Sequence, residues 1–469
     1  MNLKEDFYIF LYFKNIQNVY NLYGGDIMNN KNFYILHLLV NGIKKLDQDV
    51  VLKFYKSTVG EKIDIQDYNI KGIYGENGVG KSAIITAMHI FKNIVLNKRY
   101  LNDTDTRIAL NNLVNKKTNR LFLECEFTHT FNGSANKNIF KYSVCIEKNN
   151  LNDFVITKEE LFKKSTNNYV LIYSVNNGLL KLSLKSKDNE EFIKDKTQNL
   201  LLNSSLLSLI HSDDLIFDNE FINLEQVFYK AMMYTLLFFL NTIIHLDGSD
   251  LHETYVIKER LKEDPTNNEF RNLFNTISSP FIEIGLEDGL ILKKDIKEYK
   301  KIIQKMYSFI KVFKEDLKNI IVETKEYGEY YQCSLIFDYG DYKIHSEFES
   351  TGVKKLISLY QAFYQLNKGS VVFIDELDAN LHDVYLCKLL EYMGENAKGQ
   401  LCFTSHNIGP MEFLSKRKMG LDFLTRDKAI VSWIKNGNYS ATKLYKEGMI
   451  KNSPFNIDSF DFLKVFGNE

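Results

Sequence analysis

The residues Gly75-Glu76-Asn77-Gly78-Val79-Gly80-Lys81-Ser82 follow the pattern GxxxxGK[ST] without a gap. A loop of this composition is suited to holding phosphate. Its glycines let the backbone curl without Cβ clashes, so that N–H groups converge on an anion. A helix starting at its end adds roughly half a positive charge beneath that anion. Lys81 is then placed to contact the β- and γ-phosphates, and the Ser82 hydroxyl to ligate Mg2+. A second group of reactive residues closes the apolar run Ser370 to Ile374, where Asp375 and Glu376 follow one another. Asp375 suits the metal-side carboxylate of a phosphoryl-transfer site. Glu376 suits a general base for an attacking water, a role worth roughly 10²–10⁴ in rate.

Two further positions belong with these. Ser350 and Gly352 lie at the start of a predicted helix in the stretch Glu349 to Leu356, a place where backbone N–H groups are open to an anion. His406 ends a second apolar run, Leu401 to Ser405, where an imidazole can read a γ-phosphate or hold a water.

The elements that must position these groups are readable in outline. Asn69 to Tyr74 has strand character, and Ser82 to Leu96 presents Ile84, Ile85, Met88 and Phe91 on a helical face. The run before Asp375 suits a strand buried on both faces of a parallel sheet, with its acids at the end where open α/β sheets bind ligands. Residues 33–56 read as two strands joined by a turn, and residues 340–440 as alternating strand and helix. The stretch 120–335 mixes short strands with long helical segments. Within it Ile296, Tyr299, Ile303, Met306, Ile310, Phe313 and Leu317 form one helical stripe, opposite Lys294, Lys297, Lys301, Lys305 and Lys311. That stripe predicts a packed amphipathic helix, with a coiled-coil seam as the alternative. The lysines predict a solvated face, with a nucleic-acid track as the alternative.

Composition sets the outer limits. The chain has 469 residues, 45% of them hydrophobic, and a net charge of −1, so no global charge imbalance marks a nucleic-acid or membrane partner. Four prolines disfavour long Pro-rich linkers. The five cysteines, Cys125, Cys145, Cys333, Cys387 and Cys402, form no CxxC pair and fit reduced thiols in a cytoplasmic protein. Ala231 to Leu246, the most apolar internal run, falls short of a membrane span and predicts a buried helix. Gly24-Gly25-Asp26-Ile27 before Met28 raises the expectation that residues 1–27 are a non-native extension.

In their order along the chain, GENGVGKS, ESTGVKKL, VVFIDELDANLH and FTSHN resemble the ABC-type ATPases, in particular the SMC/Rad-like branch. The resemblance implies a P-loop NTPase fold of ABC type, α/β with a mixed sheet and helices, and a large mainly helical insertion between the phosphate loop and the signature. It implies ATP and Mg2+ as ligands and ATP hydrolysis as the reaction. By the same resemblance, Ser350 and Gly352 act on the nucleotide of a second copy, Asp375 binds magnesium, Glu376 is the base and His406 the switch histidine. Asn380, Leu381 and His382 fall in the D-loop neighbourhood. The signature reads STG rather than SGG, and no glutamine is assigned to the Q-loop. The implied organisation is an extension at 1–27, an N-terminal half of the ATPase head at 28–130, an insert at 131–335, a C-terminal half at 336–440 and a tail at 441–469.

Within that family the chain is similar to the ATPase half of OLD-type nucleases and to the ATPase subunits of AbiL- and PARIS-type abortive-infection systems. The stretch Phe423 to Val431, continuing from Ala441 to Tyr445, carries that likeness. It implies a cytoplasmic homodimer with ATP sandwiched between heads, acting in antiviral defence through a separate effector such as a Toprim-like nuclease, since no DxD pair follows His406. The alternative is an SMC-like repair or recombination ATPase that binds DNA. A transporter energy module and a self-sufficient nuclease fit the sequence less well, and no membrane contact is expected.

Overall fold

A computed structural model describes residues 31–56, 65–131, 138–165, 168–212, 226–246, 288–379, 381–434 and 439–450. The expected extension at 1–27, Asn380 and most of the tail lie outside them.

Three sheets organise these residues. The first is antiparallel and has seven strands: β1 (Lys31–Asn41), β2 (Val50–Lys53), β4 (Arg120–Phe131), β5 (Ile139–Lys148), β6 (Phe154–Ser165), β7 (Asn168–Asn176) and β8 (Leu179–Leu182). Their spatial order is β2-β1-β4-β5-β6-β7-β8. The second sheet has six strands: β3 (Ile70–Tyr74), β9 (Thr242–His245), β14 (Val371–Ile374), β15 (Gln400–Thr404), β16 (Leu421–Leu424) and β17 (Ile430–Ser432). They lie in the order β17-β16-β3-β15-β14-β9. All neighbours in this sheet are parallel except β16 and β17. A smaller antiparallel sheet joins β10 (Gly289–Leu292), β12 (Tyr330–Asp338), β11 (Asn319–Tyr327) and β13 (Lys343–His345).

The second sheet divides two cores, and its sequence shows why. Along β14, Val371 and Phe373 enter the core shared with the seven-stranded sheet, whereas Val372 and Ile374 enter the core on the other side. Side chains alternate across a strand, so a four-residue run of Val, Val, Phe and Ile serves both faces at once. Helix Lys81–Leu96 runs between the two large sheets and is buried along almost its whole length. Helices Thr351–Asn367 and Asp383–Asn396 cover the opposite face.

The described residues within 131–335 are not the mainly helical insertion that was expected. Their described part supplies strands to all three sheets: β5 to β8 extend the first, β9 pairs with β14 in the second, and β10 to β12 build the third. The apolar run Ala231 to Leu246 likewise divides. It is helix to Leu240 and then strand, where Thr242, Ile243 and Ile244 bring β-branched side chains to the sheet edge.

The helical stripe is used within the chain. Helix Ile296–Phe313 buries Tyr299, Ile302, Ile303, Met306 and Ile310. It packs on the signature helix, with the Phe309 and Tyr360 rings 5.6 Å apart, and Leu317 is buried just beyond its end. Lys294, Lys297, Lys301, Lys305 and Lys311 are exposed. Among the described residues no helix is long and apolar enough to cross a membrane.

Candidate active site

The parallel register brings the C-terminal ends of β3, β14 and β15 to one edge. Ile374 stands beside Phe403, and Thr404 beside Ile73. The phosphate loop leaves β3 there, the two acids leave β14, and the His406 segment leaves β15. Separate stretches of chain thus meet because their strands pair.

The loop has the backbone that its glycines allow. Gly80 holds φ at 115° as the residue before the helix, and a Cβ on it would stand 2.9 Å from the Leu46 side chain. At Gly75 a Cβ would fall 2.4 Å from the Leu424 carbonyl oxygen. At Gly75 the obstacle is main chain, and at Gly80 the left-handed φ itself strains any larger residue. Lys81 is buried and donates to the carbonyls of Gly75 and Glu76, each at 2.9 Å. Burial pushes its ammonium down to about 8, while Glu376, Asp375 and Asp378 act against that shift. Glu76 points to the loop's rim, where the Arg426 guanidinium grips it with two hydrogen bonds, one of 2.5 Å from Nε.

Thr404 ties the acidic pair together. Its hydroxyl donates to Asp375 Oδ1 at 2.5 Å and accepts the Glu376 amide at 2.8 Å. The Asp375 amide donates to the His245 carbonyl at 2.8 Å, so β9 also supports it. Asp375 is 4% exposed. Glu376 adopts φ of 45°, a left-handed backbone that costs a non-glycine residue on the order of 1 kcal/mol or more. His406 is open to solvent, and its imidazole is held below its ordinary value by desolvation and by Lys81, against the pull of Asp378, Glu376 and Asp375. Its amide donates to Asp378 Oδ2 at 3.1 Å, which ties the segment to the loop carrying the acids.

The bonds of Ser350, expected with Gly352 to form the signature, are local. Ser350 caps helix Thr351–Asn367 through a 3.4 Å bond from the Val353 amide, and its own amide donates to Glu349 Oε2 at 3.1 Å. Glu349 is held in turn by the Tyr339 hydroxyl at 2.6 Å. Ser350 is exposed, and a Cβ on Gly352 would meet nothing within 4 Å. These bonds stay within the signature region and the strand end before it. Asn77, Gly78, Val79 and Ser82 sit in the loop and first helical turn as the pattern predicts.

Ser82 and Asp375 offer a hydroxyl and a carboxylate, both hard oxygen donors of the kind Mg2+ takes when phosphates complete its shell. The donor set therefore fits the ion. Thr404, Asp378 and Arg426 are the site residues that motif reading misses. The acid at Asp378, close behind the Asp375-Glu376 pair, was the one available signal.

A glycine loop between a parallel strand and a helix, with two acids at the end of a neighbouring strand, is the arrangement of a P-loop nucleotide-binding fold. The chain belongs to the family described as "AAA domain, putative AbiEii toxin, Type IV TA system", which matches residues 70–411. Among solved structures it is similar to the Smc head domain with an extended coiled coil bound to the C-terminal domain of ScpA from Pyrococcus furiosus, at 15% identity over 89% of this chain and 99% of that chain, with a TM-score of 0.38. It is also similar to the Smc head domain with a coiled coil and joint from Pyrococcus yayanosii, at 12% identity over 89% of this chain and 100% of that chain, with a TM-score of 0.39. No curated protein matches the chain in sequence.

Proposed function

We propose that the chain binds and hydrolyses ATP, and that the reaction controls the contact between two copies closed head to head. The observation that carries this reading is the meeting of Lys81 with Asp375 and Glu376 at one sheet edge, cross-tied through Thr404. The loop amides and Lys81 would take the β- and γ-phosphates, Lys81 exchanging its two carbonyl partners for phosphate oxygens. Ser82 and Asp375 would hold Mg2+, which supplies positive charge beside the phosphates when bound. Glu376 takes a proton from water as the water oxygen bonds to the γ-phosphorus. The bond from that phosphorus to the bridging oxygen breaks, and its electron pair leaves with ADP. His406 leaves the neighbouring strand at the same edge and would contact the γ-phosphate or the water.

Ser350 is exposed at a helix start, with Gly352 half-buried beside it and open space where its Cβ would stand, and the bonds of Ser350 are to neighbours in sequence, which supports their capping the nucleotide of a second copy. Opening on hydrolysis would then release or engage a separate effector, such as a Toprim-like nuclease, in cytoplasmic antiviral defence. The family description names a putative toxin of a toxin–antitoxin system, which motivates a defence reading. The exposed lysines of helix Ile296–Phe313 favour a second reading, a DNA-binding repair ATPase, which duplex binding that weakens steeply with salt would distinguish.

Turnover and nucleotide binding of two variants test the reading. Glu376→Gln is expected to lose about 10²-fold or more in kcat while still binding ATP and accumulating as a closed dimer. Lys81→Ala is expected to lose nucleotide binding. A Glu376→Gln protein with wild-type turnover removes Glu376 as the base.

A further inference from the structure

Asp378 has no task in the hydrolytic chemistry, yet it makes more bonds across the site than either acid before it. Its Oδ1 and Oδ2 accept the His406 amide at 3.3 and 3.1 Å, and Oδ2 also accepts the Asn407 amide at 2.9 Å. Asn407 is gripped from a second direction, its side-chain amide donating to Asp383 Oδ1 at 2.6 Å on the first turn of helix Asp383–Asn396. The Asn407 side-chain oxygen accepts the Gly409 amide at 2.8 Å, which folds the segment back on itself.

Two ties therefore run in opposite directions between the same two loops. Thr404, at the end of β15, holds the backbone of Glu376. Asp378, beyond the end of β14, holds the backbone of His406 and Asn407. A carboxylate accepting backbone N–H groups makes bonds about twice as strong as neutral ones. Here they fix a main chain that β15 has already left, so the imidazole's place depends on them.

We propose that Asp378 is a positioning residue for hydrolysis, fixing His406 relative to Glu376 without touching the nucleotide. The inference rests on the proposed ATP hydrolysis. Misplacement of a reacting group by about 1 Å costs on the order of 10²-fold, which sets the scale of the effect.

The test is a double-mutant cycle on ATP hydrolysis with wild type, Asp378→Asn, His406→Ala and the double variant. The nucleotide dissociation constant and unfolding midpoint are measured on each. Asparagine keeps the shape but turns one oxygen into an NH2 that faces amide donors. Asp378→Asn is expected to lower kcat by about 10- to 100-fold and leave the dissociation constant within about threefold. In the His406→Ala background it is expected to slow the reaction no further. Equal slowing in both backgrounds overturns the inference, as does an unchanged kcat in Asp378→Asn. Should that variant unfold, Asp378→Glu carries the same cycle, since a longer arm also shifts the bonded amides. A wild-type chain that does not hydrolyse ATP overturns the hydrolytic reading itself and is seen in the first sample.

Discussion

The phosphate edge and the start of the signature helix are parts of one proposed site, but they are built in opposite ways. At the phosphate edge each loop is bonded to another: Thr404 to the acids, Asp378 to the His406 segment, Arg426 to Glu76. Ser350 is exposed, a Cβ on Gly352 would meet open space, and Ser350 is bonded to its own helix and to Glu349 just before it. Preorganised groups are needed where charge develops during the reaction. A helix start whose bonds are all local suits a contact formed and broken in each cycle, because its positive end can meet a partner's anion without undoing the rest of the site.

Removing a support from the pinned region is expected to have the larger cost. Lys71 on β3 and Asp422 on β16 form a 2.6 Å ion pair, and their side chains are 2% and 0% exposed. Asp422→Ala leaves a buried ammonium unpaired on the strand that carries the phosphate loop and is expected to destabilise the fold by about 3–5 kcal/mol. Ser350→Arg on the open side loses one helix cap, with an expected cost of about 1 kcal/mol. Urea unfolding of the two variants checks the contrast, and equal costs would erase it.

A smaller effect isolates the pinned half through pH. Burial holds Lys81 at about 8, and only its charged form attracts phosphate. Raising the pH from 7 to 9 neutralises the free protein's lysine, so ATP binding is expected to weaken by about tenfold. Ser350 and Gly352 do not titrate in that range, so the loss belongs to the phosphate edge. Calorimetric titration at the two pH values measures it, and tighter binding at pH 9 would exclude Lys81 as a phosphate contact.

What the sequence made readable depends on how local each signal is. The phosphate loop is contiguous, and its strand and helix flank it directly, so Gly75 to Ser82 could be read from eight neighbouring letters. The buried strand before Asp375 was readable because parallel central strands are apolar without a break. The strands of residues 139–182 were harder to read as one sheet with β1, since half-buried antiparallel strands carry polar side chains and their pairing with β4 is set at a distance. Asp378 and Thr404 act on backbone amides, donors that every residue but proline carries, so no pattern of residue types marks their partners. The sequence also could not show that the expected helical insertion gives a strand to the edge supporting Asp375.

Mixing two inactive variants measures the central claim most directly. Lys81→Ala spoils the phosphate edge of its own chain, and Ser350→Arg spoils only what that chain offers to another. Each alone is expected to be inert in ATP hydrolysis, with Ser350→Arg still binding ATP. Random pairing in an equal mixture leaves one intact site in half of the dimers, and turnover is expected to return to about a quarter of the wild-type rate. A mixture of folded proteins that stays inert would contradict a site completed by a second copy.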